Sequence, residues 1–410
     1  MKIMMIVGGY PPLDCGGTEV FTQTLAEGLY RYGKHQVVVV CMGEKNSISN
    51  LGNIKIYRRK ICNLRFFPNF YPIKFINKLL HMYNPFHKKM FRELFQHEKP
   101  DIIHIQMLRM FSPSVVEEAV RMKIPIVHTL HELYSLWKFN PFVKRGTHEL
   151  LNSKPGWFVN YIREFQRKIL SQIDSVTAPS NHALQAYEQE GYYRFSRKEV
   201  IPNAFSYNLK EIKALYARKK AKLVSQKKIK FLFVGRFVPE KGIDLLLDVF
   251  SNIKNQNIEL FFMGTGPEEE KINKMLALDS RIHNLGFLTG DKKNHVFQEC
   301  DVLILPSTST SIFSETFGLV LLEAYMSGMP CIASNSGGIP EVIENQKTGY
   351  LVRQGSFLEL REAILHFSNP KNILDFLPYC LKKIEKYDFK EMVSKFISVY
   401  EYTIKNYRSH

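Results

Sequence analysis

Residues 315–323 read Glu315-Thr316-Phe317-Gly318-Leu319-Val320-Leu321-Leu322-Glu323. Two carboxylates stand eight positions apart, and a glycine-containing turn leads from the first into an apolar stretch that predicts a helix over 317–327. The first amides of such a helix have no internal acceptor and carry roughly half a positive charge, which favours a bound anion. Eight helical residues rise about 12 Å. The spacing therefore suits a ligand with phosphates in its middle and hydroxyls at both ends.

The alternative for this stretch is an ordinary surface helix with two solvated glutamates. Leu321, Leu322 and their apolar neighbours indicate instead a helix that is largely buried, in which a glutamate such as Glu323 needs a partner. Gly328 and Pro330 supply a stop signal for that helix.

The pattern along the chain predicts an α/β protein with two Rossmann-like domains that face each other across a cleft. A chain of 410 residues is too long for one core. Short apolar strands alternate with helical patterns, which indicates parallel sheets. Strands are predicted near 2–8, 36–41, 101–105, 124–129, 173–178 and 198–202, then near 229–235, 258–263, 301–305, 330–334 and 349–352.

The predicted domain boundary follows Asn203. We expect a first domain over 1–205, a lysine-rich linker with a helix over 206–228, and a second domain over 206–387. The segment 388–410 carries an amphipathic helix over 388–406. In such folds, ligands bind at the carboxyl ends of the strands.

Two cations stand in the turn between the first strand and the first helix of the second domain. Gly235 ends the strand, and Arg236 and Lys241 bracket the loop that follows it. Guanidinium and ammonium groups in this position suit a diphosphate, although a surface loop with two chance basic residues remains the alternative.

Glycine turns follow several other predicted strands, where the backbone can approach a ligand closely. Gly264 begins a Gly-Thr-Gly-Pro turn, and Gly16-Gly17 precedes the first helix. The latter lacks the Gly-x-Gly-x-x-Gly spacing of a dinucleotide site, but its amides could cap a phosphate. His131 ends a first-domain strand and is predicted to point into the cleft, whereas His128 is interpreted as structural.

Metal chemistry is not predicted. The chain contains no Asp-x-Asp and no His-Glu-x-x-His. We therefore expect the cationic side chains to neutralise the phosphates, with no cofactor and no metal.

Much of the net charge of +17 lies in one region. Residues 55–110 carry 12 Lys and Arg against 3 acids, with ten interleaved aromatic residues. This combination suits an anionic lipid surface. A merely solvated basic face is the alternative, and nucleic acid is disfavoured because no zinc-finger, RNP or KH signature accompanies the charges.

Six scattered cysteines and the absence of an 18-residue apolar run indicate a reduced, cytoplasmic protein without a membrane span. With the basic region, this predicts a protein that attaches peripherally to the inner face of the cell membrane.

Taken together, these motifs resemble the family-four retaining glycosyltransferases of the GT-B fold (glycosyltransferase group 1), over nearly the whole chain. The Glu-x7-Glu pattern in its Glu-x-Phe-Gly-Leu context is the most specific element, and the Gly-Gly-x-Glu loop is the least specific. The resemblance implies that the last helix crosses back to the first domain. It further implies an acceptor-binding first domain and a donor-binding second domain.

The resemblance also implies roles for individual residues. Arg236 and Lys241 would bind the donor diphosphate, Glu315 would contact the donor sugar, and Glu323 would bind the ribose hydroxyls. The remaining implied contacts are Gly17 to the diphosphate, His131 near the transferred sugar, and the amides of Phe317, Gly318 and Leu319 to sugar and phosphate.

Three departures from the family pattern stand out. Thr316 replaces a common proline, the serine-rich loop 307–314 is longer than usual, and Gln106 stands where a second histidine is frequent. The loop bears on the sugar pocket and Gln106 on the acceptor site, whereas the change at Thr316 should matter little.

The expected activity is metal-independent hexosyl transfer, with retention, from a nucleotide-sugar to a lipid-linked or polysaccharide acceptor in surface glycan synthesis. A sugar-nucleotide epimerase is the alternative within enzymes, but it needs a pair of acid/base residues that the sequence does not clearly offer. A catalytically silent, membrane-associated scaffold of a glycan assembly is the alternative from another class.

Overall fold

The structure is a computed structural model. It describes residues 1–12, 16–60, 80, 82–108, 111–133, 136, 154, 156–310 and 313–407. Much of the basic and aromatic region predicted to meet lipid, residues 61–79 in particular, lies outside the described residues.

The chain forms two compact units. Unit 1 contains the described residues up to Phe205 together with the last helix, which begins at Phe389, and unit 2 contains Ser206–Asp388. The chain therefore passes from unit 1 to unit 2 and returns to unit 1 for its final helix.

Unit 1 is built on an eight-stranded sheet of order β3-β4-β2-β1-β5-β6-β7-β8. All neighbouring pairs are parallel except β3 with β4. The strands are β1 Lys2–Ile6, β2 Gln36–Met42, β3 Ser47–Leu51, β4 Ile54–Arg59, β5 Ile102–Ile105, β6 Ile126–Thr129, β7 Ser175–Ala178 and β8 Arg197–Val200. Strands β1 and β2 are apolar over most of their length because both of their faces are covered.

Among its described residues, unit 1 contains the helices α1 Gly17–Arg31, α2 His87–Glu98, α3 Ser114–Arg121, α4 Trp157–Leu170, α5 Asn181–Gln189 and the last helix, α14 Phe389–Tyr407. Helix α14 contributes Phe396 and Tyr400 to the core, both fully buried. Its Thr403 hydroxyl lies 2.7 Å from the Ser175 hydroxyl of β7. The last helix is thus an integral part of unit 1.

Several basic residues of the 55–110 region form structural ion pairs. Lys55 contacts Glu98 at 2.6 Å, and this contact, with hydrogen bonds from Tyr57 and Lys2, lowers the pKa of the buried Glu98 carboxyl to about 2. Arg92 contacts Glu118 at 2.9 Å. Part of the local positive charge therefore stabilises the sheet edge and helix α2 of unit 1.

Unit 2 is built on a six-stranded, fully parallel sheet of order β11-β10-β9-β12-β13-β14. Its strands are β9 Ile229–Val234, β10 Ile258–Met263, β11 Ile282–Asn284, β12 Val302–Leu305, β13 Cys331–Ser334 and β14 Gly349–Val352. Its helices are α6 Leu209–Ser225, α7 Ile243–Ser251, α8 Glu269–Leu278, α9 Gly290–Glu299, α10 Leu319–Met326, α11 Ile339–Val342, α12 Phe357–Phe367 and α13 Pro370–Ile384.

The structure confirms the predicted α/β class with two Rossmann-like domains, and it corrects several boundaries. The helix predicted over 317–327 begins at Leu319 and ends at Met326. Strands β3, β4 and β11 were not predicted, because they are short or polar and lack a continuous apolar run. The helix within the linker is α6, Leu209–Ser225.

No helix among the described residues is both long enough and apolar enough to cross a bilayer.

Candidate active site

The sheet of unit 2 has a switch point, where the order of its strands reverses. From β9 the chain proceeds outward to β10 and β11, and then continues on the other side of β9 with β12, β13 and β14. The loops that follow β9 and β12 therefore diverge at one edge of the sheet, which is where parallel α/β sheets bind ligands. In this unit, Lys241 from the first loop and Glu315 from the second form an ion pair across the switch point.

Lys241 ends a short 3-10 helix, Pro239–Lys241, that begins soon after β9. Its ammonium lies 5.4 Å from the centre of the Phe313 ring, while the Ser307 hydroxyl lies 3.3 Å from a carboxylate oxygen of Glu315. Both charged side chains are only 13–14% exposed. The pair is therefore largely shielded from water. Its Lys241 ammonium is a fixed cation at the edge of the sheet where an anionic ligand would bind.

Arg236 occupies the same loop but is exposed to solvent. Within the described part of the chain, its side chain has no ion-pair partner. The loop thus supplies one cation held in place by a carboxylate and a second that can turn toward an anion.

The glycine turns keep the loops of unit 2 in backbone contact. A Cβ added to Gly264 would lie 1.9 Å from the carbonyl oxygen of Gly235, and the φ of Gly264 is +153°. Only glycine fits there. On the other side, Gly338 donates its amide hydrogen to the Glu315 carbonyl at 2.7 Å. The backbone around Lys241 and Glu315 is thus fixed from two directions.

Helix α10, whose first amides are predicted to bind an anion, begins two residues later than predicted. Gly318 precedes the helix in the left-handed region, with φ of +81°. Among the described residues, the amides of Phe317, Gly318 and Leu319 donate to no acceptor. They therefore remain available for a ligand.

Glu323 lies in helix α10, where its carboxylate contacts the ammonium of Lys293 at 2.5 Å. Lys293 belongs to helix α9 and was not predicted as a site residue, because nothing in the sequence around it distinguishes it from other surface lysines. The two glutamates of the Glu-x7-Glu pattern thus each have a lysine partner, Lys241 for Glu315 and Lys293 for Glu323.

A hydroxyl cluster supports the loop before Glu315. The Ser309 hydroxyl lies 2.7 Å from that of Ser314 and 2.5 Å from that of Ser336, which follows β13. The polar loop is therefore attached to the neighbouring strand end. Residues 311 and 312 lie outside the described residues.

Gly16 and Gly17 are at the start of helix α1 in unit 1, as predicted. The amide of Gly16 donates to the carboxylate of Glu19 at 3.0 Å. Burial raises the pKa of the Glu19 carboxyl, and the nearby carboxylate of Glu132 raises that pKa further. A phosphate bound by the Gly16 amide would have to displace the Glu19 carboxylate. The first amides of helix α1, which begins at Gly17, have no intrahelical acceptor and need no such displacement.

His131 follows β6 at the carboxyl edge of the unit 1 sheet. Its Nε2 lies 2.6 Å from Oε1 of Gln106, and its ring centre lies 4.7 Å from that of Phe21. Burial lowers the pKa of His131 to about 3, so the ring is neutral at pH 7. His128 is buried within the sheet, with Nδ1 2.8 Å from the Tyr193 hydroxyl, which fits its predicted structural role.

Across the part of the chain that the structure describes, no cluster of three or more His, Cys, Asp or Glu side chains is arranged to hold a metal ion.

Comparison with known sequences identifies the family. Residues 15–208 match the family model Glycosyltransferase Family 4, and residues 217–374 match Glycosyl transferases group 1. The chain belongs to this family of glycosyltransferases and is an enzyme of that class. An uncharacterised 42.6 kDa protein in the cps region of Klebsiella pneumoniae is 27% identical over 351 residues, which cover 83% of this chain and 87% of that protein.

Solved structures show the same fold over the whole chain. Sucrose-phosphate synthase from Thermosynechococcus elongatus superposes with a TM-score of 0.74 at 18% identity and covers 99% of both chains. Anabaena Alr3699/HepE, solved with UDP and glucose, superposes with a TM-score of 0.68 at 17% identity, covering 97% of this chain and 99% of that one. The predicted GT-B fold is confirmed.

We predict that unit 1 loses stability as the pH falls below about 6.5. Burial holds the pKa of His128 and His131 near 3 and that of His104 well below 6.5, whereas the unfolded chain takes up these protons near pH 6.5. Since the unfolded state then binds more protons, stability is complete above pH 6.5 and falls toward pH 3. Each histidine contributes a slope of up to about 1.4 kcal/mol per pH unit.

Urea titrations between about pH 5 and about pH 7.5 measure this slope. His128→Gln should reduce this slope by up to about 1.4 kcal/mol per pH unit, the contribution of one proton. Equal slopes for His128→Gln and the unchanged protein would contradict the prediction.

Proposed function

We propose that the protein transfers a sugar from a nucleoside-diphosphate sugar to a glycan or lipid-linked acceptor, with retention at the anomeric carbon and without a metal ion. The observation that carries the proposal is the Lys241–Glu315 contact across the switch point of unit 2. A fixed cation and a carboxylate suited to sugar hydroxyls thus lie side by side at the edge where such a sheet binds its ligand.

Unit 2 supplies the chemical groups that a nucleotide-sugar requires. Lys241, Arg236 and the amides at the start of helix α10 are suited to the diphosphate, since all of them stabilise negative charge. Glu323, eight residues after Glu315, is suited to the ribose hydroxyls. The UDP and glucose found with Anabaena HepE support a donor of this class.

The reaction breaks the bond between the anomeric carbon and the diphosphate oxygen, and the bonding electrons leave with the diphosphate. The acceptor hydroxyl forms the new bond on the same face, and its proton passes to the leaving phosphate oxygen. Because negative charge develops on the diphosphate, stabilisation by Lys241 and Arg236 is the main contribution of this chain. We assign no protein nucleophile.

The setting we propose is surface glycan synthesis at the inner face of the membrane, with unit 1 as the acceptor-binding domain. The relative in the Klebsiella cps region supports this setting. Contact between the 55–110 region and anionic lipid stays a prediction, because residues 61–79 lie outside the described residues.

A panel of nucleoside-diphosphate sugars tests the function. We expect the purified protein to release nucleoside diphosphate from at least one donor, at a rate that EDTA does not change. Epimer formation would instead support the epimerase, and no reaction with any donor would support the scaffold. The configuration of the product, read by NMR, decides between retention and inversion.

We predict that Lys241→Ala and Arg236→Ala each lower turnover by about 100-fold or more, because the departing diphosphate loses a cation that stabilises its charge. Steady-state kinetics with the active donor measures the effect. Lys274→Ala is the matched control, since Lys274 is an exposed lysine of unit 2 that pairs with Glu270 of its own helix. Near-normal turnover in both site variants would refute the phosphate assignment.

Glu323→Ala should mainly raise the donor KM, by roughly 10-fold or more, because a charged hydrogen-bond acceptor for the ribose is lost. Since that substitution also leaves Lys293 without its carboxylate, Lys293→Ala should be measured in parallel. Glu270→Ala is the control at an exposed helix position. A donor KM unchanged by Glu323→Ala would exclude the ribose role.

A further inference from the structure

Unit 1 has a switch point of its own, between β1 and β5, where the order of its strands reverses. Gln106 is the first residue after β5. Its backbone N–H donates a hydrogen bond to the Ile6 carbonyl at the end of β1, at 2.8 Å. His131 follows β6, the strand next to β5. Because both strands are parallel, the two side chains emerge at the same edge, and Gln106 Oε1 meets His131 Nε2 at 2.6 Å.

The orientation of the Gln106 amide is set by His104. The Gln106 Nε2 lies 3.1 Å from both ring nitrogens of His104, which places it over the face of the ring. An N–H group is attracted to that electron-rich face, whereas a carbonyl oxygen is repelled. The amide nitrogen therefore faces His104 and the amide oxygen faces His131.

His104 is itself held on both sides. Its Nδ1 lies 2.6 Å from the Tyr400 hydroxyl of the last helix, and its Nε2 lies 2.7 Å from the Thr129 hydroxyl of β6. Gln106 and His104 are both fully buried. A ring fixed at both nitrogens cannot turn without breaking two buried hydrogen bonds, so the chain Tyr400–His104–Gln106 provides a rigid support.

We propose that Gln106 is a positioning residue that holds His131 in its Nε2–H tautomer. A carboxamide oxygen only accepts hydrogen bonds, so the nitrogen of His131 that faces it must carry the hydrogen. The Nδ1 atom of the neutral ring is then the nitrogen with the lone pair, and it accepts a hydrogen bond. A hydroxyl donor is the ligand group that fits such an acceptor.

This inference deepens the proposed function and in its substrate part rests on it. Under the proposed function His131 lies near the transferred sugar, and its fixed tautomer makes Nδ1 the ring nitrogen that accepts hydrogen bonds. Phe21 packs against the ring from helix α1, so the ring has little freedom to exchange its two nitrogens by rotation. The last helix contributes through Tyr400, which gives that helix a role in the site as well as in the core.

Nitrogen-15 NMR of histidine side chains tests the tautomer directly. The chain has 13 histidines, and His131→Asn identifies the signals of His131. We expect the Nε2–H tautomer in the unchanged protein and a substantial Nδ1–H population in Gln106→Met, which keeps the bulk of the side chain but removes the acceptor. An Nδ1–H tautomer of His131 in the unchanged protein would overturn the inference. So would a Gln106→Met variant in which His131 keeps the same tautomer as in the unchanged protein.

Gln166→Met is the matched control. Gln166 is 3% exposed in the same unit, and its Nε2 donates to the Met82 carbonyl at 2.7 Å. The substitution removes one buried hydrogen bond in helix α4, rather than at the strand ends where Gln106 and His131 meet. A general loss of stability would therefore appear in both variants, whereas the change of tautomer should appear only in Gln106→Met.

Turnover separates this inference from the proposed function. If the protein is a glycosyltransferase, Gln106→Met should lower kcat by about tenfold, the value of one hydrogen bond, with little change in donor KM. Gln166→Met should keep normal kcat. A shifted tautomer with unchanged kcat would overturn the role in catalysis, while failure of every donor with the unchanged protein would refute the proposed function and leave the NMR result standing.

Discussion

The parallel alignment of the strands is the constraint on which the candidate site depends. Since every strand of unit 2 runs the same way, every loop that leaves a carboxyl end emerges at one edge of the sheet. The order of strands reverses between β9 and β12. The connection after β9 therefore leads to one side of this point, and the connection after β12 leads to the other. Lys241 and Glu315, 74 residues apart in sequence, meet there because the sheet brings their loops together.

The surroundings of this ion pair differ from those of a structural one. Lys219 and Asp301 are also buried together, but the Lys219 ammonium additionally donates to the carbonyls of Gln298 and Cys300, which satisfies it within the protein. Among the described residues, the ammonium of Lys241 has Glu315 as its hydrogen-bond partner. A dehydrated pair with unfilled hydrogen-bonding capacity gains from a ligand, whereas a satisfied pair only stabilises the fold.

Unit 1 solves a different problem, which is how to keep histidines neutral and oriented inside a sheet. Burial disfavours the charged ring, and the hydroxyl of Tyr400 and the amide of Gln106 replace water as partners of His104. The last helix closes this arrangement, since Phe396 and Tyr400 cover the ring of His104. The return of the chain to unit 1 after Asp388 therefore completes a polar core as well as an apolar one.

The sequence by itself determined the class of fold, because continuous apolar strands alternating with helices are stable only as covered parallel sheets. It also located Arg236, Lys241, Glu315 and Glu323 after strands or at a helix, since glycine turns and the Glu-x7-Glu spacing are local signals. Only the tertiary structure decided the partners. Lys293 has no local signal, and Gln106 stands out in the sequence only as a departure from the family pattern, because their contact partners lie 30 and 25 residues away. The short strands β3 and β11 were likewise decided by pairing with neighbours, since neither has enough apolar sequence to be recognised alone.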